Sequence, residues 1–152
     1  MNEKELVSVL KENDRNTIER VCAILNEHKI TIRDNLADFV AALCDVDKDK
    51  MMNISGRGDA HLSYARWFYW YTSRMLLGST YKEMSENHAR IGARVTQHGI
   101  MQGVARMATM TEQEPIWRKR WIIMKRIIEE SKKNPPIKIV VPKDVEIEIE
   151  KK

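Results

Sequence analysis

The chain has 152 residues, 43% of them apolar and 32% charged, with a formal net charge of +4 and a pI near 9.1. That length fits one well-filled core with a small appendage, and the composition excludes a disordered or membrane-embedded chain. No apolar run approaches the roughly 20 residues that cross a bilayer, and Met1 to Leu10 shows no signal-peptide core, so a cytoplasmic location is expected.

Residues 2–12 are predicted as a short helix, and Asp14 is placed to cap a second one. There Ile18, Val21, Cys22 and Leu25 recur at helical spacing. Thr31 or Asp34 begins a third helix, with Leu36, Phe39, Val40 and Leu43 facing inward. Asp45 to Asp49 has the look of a calcium loop but lacks its Gly and terminal Glu, so it reads as a solvated loop and helix cap.

Gly56-Arg57-Gly58 is a flexible break, after which Asp59 caps a long aromatic helix that runs to Gly78, a good residue to end one. Leu62, Ala65, Phe68 or Tyr69, Thr72, Met75 and Leu76 make its inward stripe, and Trp67, Trp70 and Tyr71 widen it. Such a helix belongs at the centre of a bundle. Arg66, Trp70 and Arg74 recur every four residues and share one face, which sets two cations in a row. Thr80 and Glu83 form a capping box for a short helix, and Glu83, Glu86 and His88 read as a cluster on its surface.

The stretch from Ala89 to Val95, with Gly92, supplies a turn, and Thr96 caps the next helix, which is expected to end near Met110. Its inward positions are Ile100 or Met101, Val104, and Met107 or Ala108. Thr111 and Glu114 form a second capping box, with Pro115 in the first turn of the last helix. That helix buries Ile116, Trp117, Trp121, Met124, Ile127 and Ile128 and shows Arg118, Lys119, Arg120, Lys125 and Arg126 on a basic side. Asn134-Pro135-Pro136 ends the helices, and the β-prone runs 137–141 and 145–149 signal a hairpin or an extended arm.

Charge is segregated along this layout. Residues 59–133 hold 13 Lys/Arg against 7 Asp/Glu, a net of +6, whereas residues 1–58 hold 9 against 11. A tight turn between two short helices, with polar residues opening the second, is how a helix-turn-helix unit presents side chains to the major groove. The positive excess lies on that segment. Thr96, Gln97 and His98 stand at the start of the candidate recognition helix, and Arg94 in the turn is placed for a phosphate.

Cys22 and Cys44, the only cysteines, lie in apolar helical contexts and read as core residues in a reducing compartment. With His28, His61, His88 and His98 scattered, no metal spacing arises, and no cofactor is expected. No triad, carboxylate pair or Gly-rich phosphate loop argues for an enzyme, and no catalytic residue is assigned.

Gly56-Arg57-Gly58, Ala65-Arg66, Thr80-Tyr81-Lys82-Glu83-Met84-Ser85 and Thr96-Gln97-His98-Gly99-Ile100-Met101 carry a resemblance. Residues 57–110 resemble the C-terminal DNA-binding domain of the bacterial replication initiator DnaA, whose helical class is shared with the Trp repressor. The family pattern has an arginine loop, a long helix from an Ala/Pro-Arg, a short helix around Ser-Leu-x-Glu-Ile-Gly, and then Arg-Asp-His-Thr-Thr-Val. The resemblance implies that Arg57 enters the minor groove, and that Arg66 and Arg74 hold phosphates. Lys82 stands where the family has Pro and would add a phosphate contact. Gln97, His98 and Gly99 stand where Asp, His and Thr read base edges. The turn before His98 needs four extra or shifted residues, and the two threonines are replaced by Gly99 and Ile100. The Gly-x-x-x-x-Gly-Lys-Ser/Thr loop of the initiator's ATPase half is absent from the sequence.

The expected fold is therefore all-α, a helical bundle containing a DnaA/Trp-repressor-like helix-turn-helix with a C-terminal hairpin or arm. Residues 1–55 would form N-terminal helices packed on the core, 56–133 the DnaA-like domain, and 134–152 the hairpin or arm. Double-stranded DNA is the expected partner, in replication or transcription control, with a mobile element as one setting. The alternative is a non-enzymatic interaction or structural protein that kept the scaffold, associating with itself or another protein through the C-terminal arm.

Overall fold

The computed structural model describes residues 2–12, 14, 16–28, 31–53 and 59–133. Gly56-Arg57-Gly58 and the expected C-terminal hairpin at 134–152 lie outside the described residues. What is described is all-α, in chain order α1 (Asn2–Glu12), α2 (Thr17–His28), α3 (Ile32–Cys44), α4 (Lys48–Asn53), α5 (Ala60–Leu77), α6 (Tyr81–Arg90), α7 (Gln97–Gln113) and α8 (Pro115–Lys133).

Local signals set most of the helix ends. The Asp59 carboxylate accepts from Leu62 N–H at 3.1 Å and starts α5, and Gly78 ends it in the left-handed region at φ 73°. The Thr80–Glu83 capping box of α6 has both of its bonds, at 3.0 and 2.8 Å. Asp47 caps α4 by accepting from Lys50 N–H at 2.9 Å, so Asp45–Asp47 is a loop and cap, and Lys48 and Asp49 open the helix.

One boundary differs from expectation. Thr111 does not cap α8; it lies inside α7, buried, with its hydroxyl donating to Ala108 O at 2.9 Å. α7 continues to Gln113, and Pro115 opens α8 after Glu114 alone. Burial of the Thr111 side chain overrides the local capping pattern.

α5 is the axis of the bundle. It packs on α7, α3, α4 and α8, while α1 and α2 complete the other side against α3 and α8. One continuous cluster of buried side chains runs from Leu6 and Leu10 through Phe39 and Phe68 to Ile127 and Ile128. Trp70 and Trp117 are buried, and Trp67 and Trp121 are half-buried against the core. Ile116 departs from the expected buried side of α8: it is exposed, and Ile123 is buried instead.

α5 and α7 approach unusually closely. A Cβ on Gly103 would lie 2.7 Å from both Trp67 Cδ1 and Trp70 Cε3, so only glycine fits that crossing. Polar contacts then tie α4 to the two helices behind it. Arg66 Nε donates to Met51 O at 2.7 Å, and one ring nitrogen of His88 meets Met52 O at 3.0 Å. His88 is thus not part of a surface cluster with Glu83 and Glu86; it is fully buried between α4 and α5.

Candidate nucleic-acid interface

α6, the turn around Gly92 and α7 carry most of the residues expected to meet DNA. Gly92 takes φ 81°, a left-handed conformation that glycine adopts without penalty, and Ala93 N–H donates back to His88 O at 2.9 Å. The chain then folds back along α6. The Ser85 hydroxyl donates to Val95 O at 2.8 Å, so α7 begins beside the first half of α6 rather than beyond its end. Lys82, one turn before Ser85 on α6, is exposed.

At that start, the Thr96 hydroxyl accepts from Gly99 N–H at 2.9 Å, and Ile100 N–H makes the first bond of the helix ladder, to Thr96 O. The N–H groups of Gln97 and His98 precede the ladder and point out of the helix end. Arg94, Thr96, Gln97 and His98 are all exposed. Arg94 and Thr96 line a shallow groove of about 310 Å³ with Ser85, Ala89 and Val95.

Gly99 contributes less than the family position implies. It has no side chain, and its N–H is already used by the Thr96 cap. Ile100, at the second threonine position, is completely buried.

Arg74 is exposed at the end of α5, its guanidinium 4.7 Å from the centroid of the Tyr81 ring, and it donates to Ser79 O at 3.2 Å. Stacking on Tyr81 holds this cation beside the start of α6, next to Lys82. Arg66 must be moved off the interface. It is 6% exposed, donates to Met51 O and Lys50 O, and burial pulls its pKa down. The expected pair of cations on one α5 face is therefore a single one, because α4 covers the Arg66 position.

Charge along α7 is one-sided. α7 has no acidic residue before Glu112. On α6, the Glu83 carboxylate is drawn into the helix cap, where bonds from Thr80 hold its pKa below the ordinary value. The lowered pKa keeps Glu83 ionised, and Glu83 and Glu86 are both exposed, so α6 carries two carboxylates beside its cations. The sequence reading did not single out Arg106, which is exposed with its guanidinium 5.3 Å from the Trp67 ring centroid.

On α8, Arg118, Lys119, Lys125 and Arg126 are exposed, but Arg120 is not on that basic side. Its guanidinium is buried, 4.7 Å from the centroid of Trp117. Among the described residues, no group of three or more His, Cys, Asp or Glu is arranged to hold a metal ion, and no helix is long and apolar enough to cross a membrane. Compared with protein-family models, curated proteins and solved structures, the chain matches none.

Proposed function

We propose that this chain is a non-enzymatic double-stranded DNA-binding protein in which α6 and α7 act as a helix-turn-helix, with α7 entering the major groove. The observation that carries this reading is the start of α7. Its open N–H groups and the exposed Gln97 and His98 stand beside the exposed Arg94, with no carboxylate along α7 before Glu112. A helix N-terminus of this kind favours phosphate, and the Gln amide and His ring supply donors for base edges. Arg74, Lys82 and Arg94 are the phosphate contacts, and Gln97 and His98 the base contacts. Replication or transcription control is the role that such a reader serves.

Binding of the full chain to random duplexes, followed by fluorescence anisotropy over a range of salt, tests the reading. Three side-chain phosphate contacts give a log–log slope of about −3 against salt. A flat salt dependence, or no binding at low salt, rejects it.

A second reading has its own observation. A groove of about 430 Å³ between α1 and α3 is lined by Leu6, Val7, Leu10 and Phe39 together with Ser8, Lys11, Asn35 and Asp38, and would take a segment of another protein. In that reading the scaffold is an interaction protein, and duplex DNA leaves its hydrodynamic behaviour unchanged.

A further inference from the structure

Thymine differs from cytosine in the major groove by an oxygen acceptor in place of an amino donor and by its C5-methyl group, which is read through contact with an apolar side chain. The first turns of α7 hold few candidates for that contact. Gly99 has no side chain, Ile100 is fully buried, Gly103 meets Trp67 and Trp70, and Val104 is buried. Met101 is the first residue of the helix that is both apolar and well exposed, at 46%.

Its surroundings distinguish it from an ordinary stray surface methionine. Met101 follows His98 by three residues and precedes Gln102, so His98, Met101, Gln102 and Ala105 form one exposed stripe along α7. The stripe has polar donors at both ends of the methionine and no acidic residue among its members. An unbranched thioether is flexible and polarizable, which suits it to close over a flat methyl-bearing base edge.

We propose that Met101 is a specificity-determining residue of this reader, contacting the C5-methyl group of a thymine one helical turn beyond the base met by His98. The inference rests on the DNA-reading function proposed above and names a base class for it.

The experiment begins with selection of a preferred duplex from a random pool by the full chain. Each thymine of that duplex is then replaced in turn by deoxyuridine, which deletes the methyl group and leaves every hydrogen-bonding group in place. One position should lose about fourfold in affinity, the worth of one buried methyl-sized group. In Met101→Ala the thymine and uracil duplexes should bind alike at that position. Met101→Leu, which keeps an apolar side chain, should preserve the difference, as should Gln97→Ala and His98→Ala. A wild-type protein indifferent to every uracil substitution overturns the Met101 assignment, as does a Met101→Ala variant that keeps the fourfold effect. Failure to select any duplex overturns the DNA-reading function itself, and the assignment with it.

Discussion

Trp70 Nε1–H donates to Nε2 of the fully buried His88 at 2.9 Å. An indole nitrogen only donates, so His88 Nε2 carries no proton, and Nδ1–H must then be the donor to Met52 O at 3.0 Å. One neutral tautomer thus bridges α4, α5 and α6.

Burial pulls the His88 pKa below its ordinary value of 6.5, and the nearby Arg66 charge adds to the effect. The unfolded chain therefore takes up a proton at this position before the folded one does. Stability should be complete above about pH 6.5 and decline as pH falls from there toward the folded pKa. His88→Ala should cost about 2–4 kcal/mol, since it leaves Trp70 Nε1–H and Met52 O without partners and opens a cavity. Urea unfolding from pH 8 to 5 tests both effects, and a variant whose midpoint drops as steeply with acid as wild type would remove His88 as the cause.

The contact of Gly103 with Trp67 and Trp70 predicts an inverted propensity effect. Alanine is worth about 1 kcal/mol more than glycine in a helix interior. Here its Cβ would lie at 2.7 Å from two tryptophan rings, so the helices must separate. Gly103→Ala is expected to lose about 1–3 kcal/mol net, as overpacked cores do. A melting temperature at or above wild type would show that α7 does not press on α5 at this residue.

Arg66 and Arg74 should separate cleanly in experiment despite sharing a helical repeat. Arg66→Ala removes the donor from Met51 O and Lys50 O and should lower stability by about 1–3 kcal/mol, with the salt slope of DNA binding unchanged. Arg74→Ala should leave stability within about 0.5 kcal/mol and flatten that slope by about one unit. The reverse pattern in paired unfolding and salt-titration measurements would place Arg66 on the DNA side.

These two arginines also show where the sequence was legible and where it was not. Asp59, Gly78, Thr80 with Glu83, and Thr96 act on groups within five residues of themselves, so they marked the helix ends correctly. The four-residue repeat correctly placed Arg66 and Arg74 on one face of α5. Which part of that face α4 would cover is a long-range fact with no local signature. Thr111 failed for a related reason: its capping pattern with Glu114 is intact in sequence, but packing carried α7 through it. The candidate tip was readable as residue types at a helix start, whereas the fold-back that seats the start of α7 on α6 depends on the Ser85–Val95 contact. Met101 was placed among the inward alternatives because periodicity alone does not choose between adjacent positions, and burial of Ile100 decided it.

Arg120 carries a different expectation. Its guanidinium is buried, and Nε and Nη1 find no hydrogen-bond partner among the described residues, leaving the ring of Trp117 as its main contact. A buried charge without a counter-ion is costly, and apolar replacement of such groups is often stabilising. Arg120→Met should raise stability by about 1–3 kcal/mol in urea unfolding. A loss of similar size would mean that the cation is satisfied by solvent or by residues beyond those described.

Gln97 and His98 should behave differently from every phosphate contact. Both are exposed in the first turn of α7, held by the Thr96 cap and by the Ser85–Val95 bond that seats the turn on α6. A base contact contributes only where its base is present, so truncation to Ala should cost about 1–3 kcal/mol on a selected duplex and little on random DNA. Lys82→Ala and Arg94→Ala should weaken both duplexes equally, because phosphates recur at every step. The ratio of the two affinities at one fixed salt concentration is the quantity to follow. If Gln97→Ala and His98→Ala leave that ratio unchanged, the tip positions the protein on DNA without reading it, and sequence selection must come from elsewhere on α7.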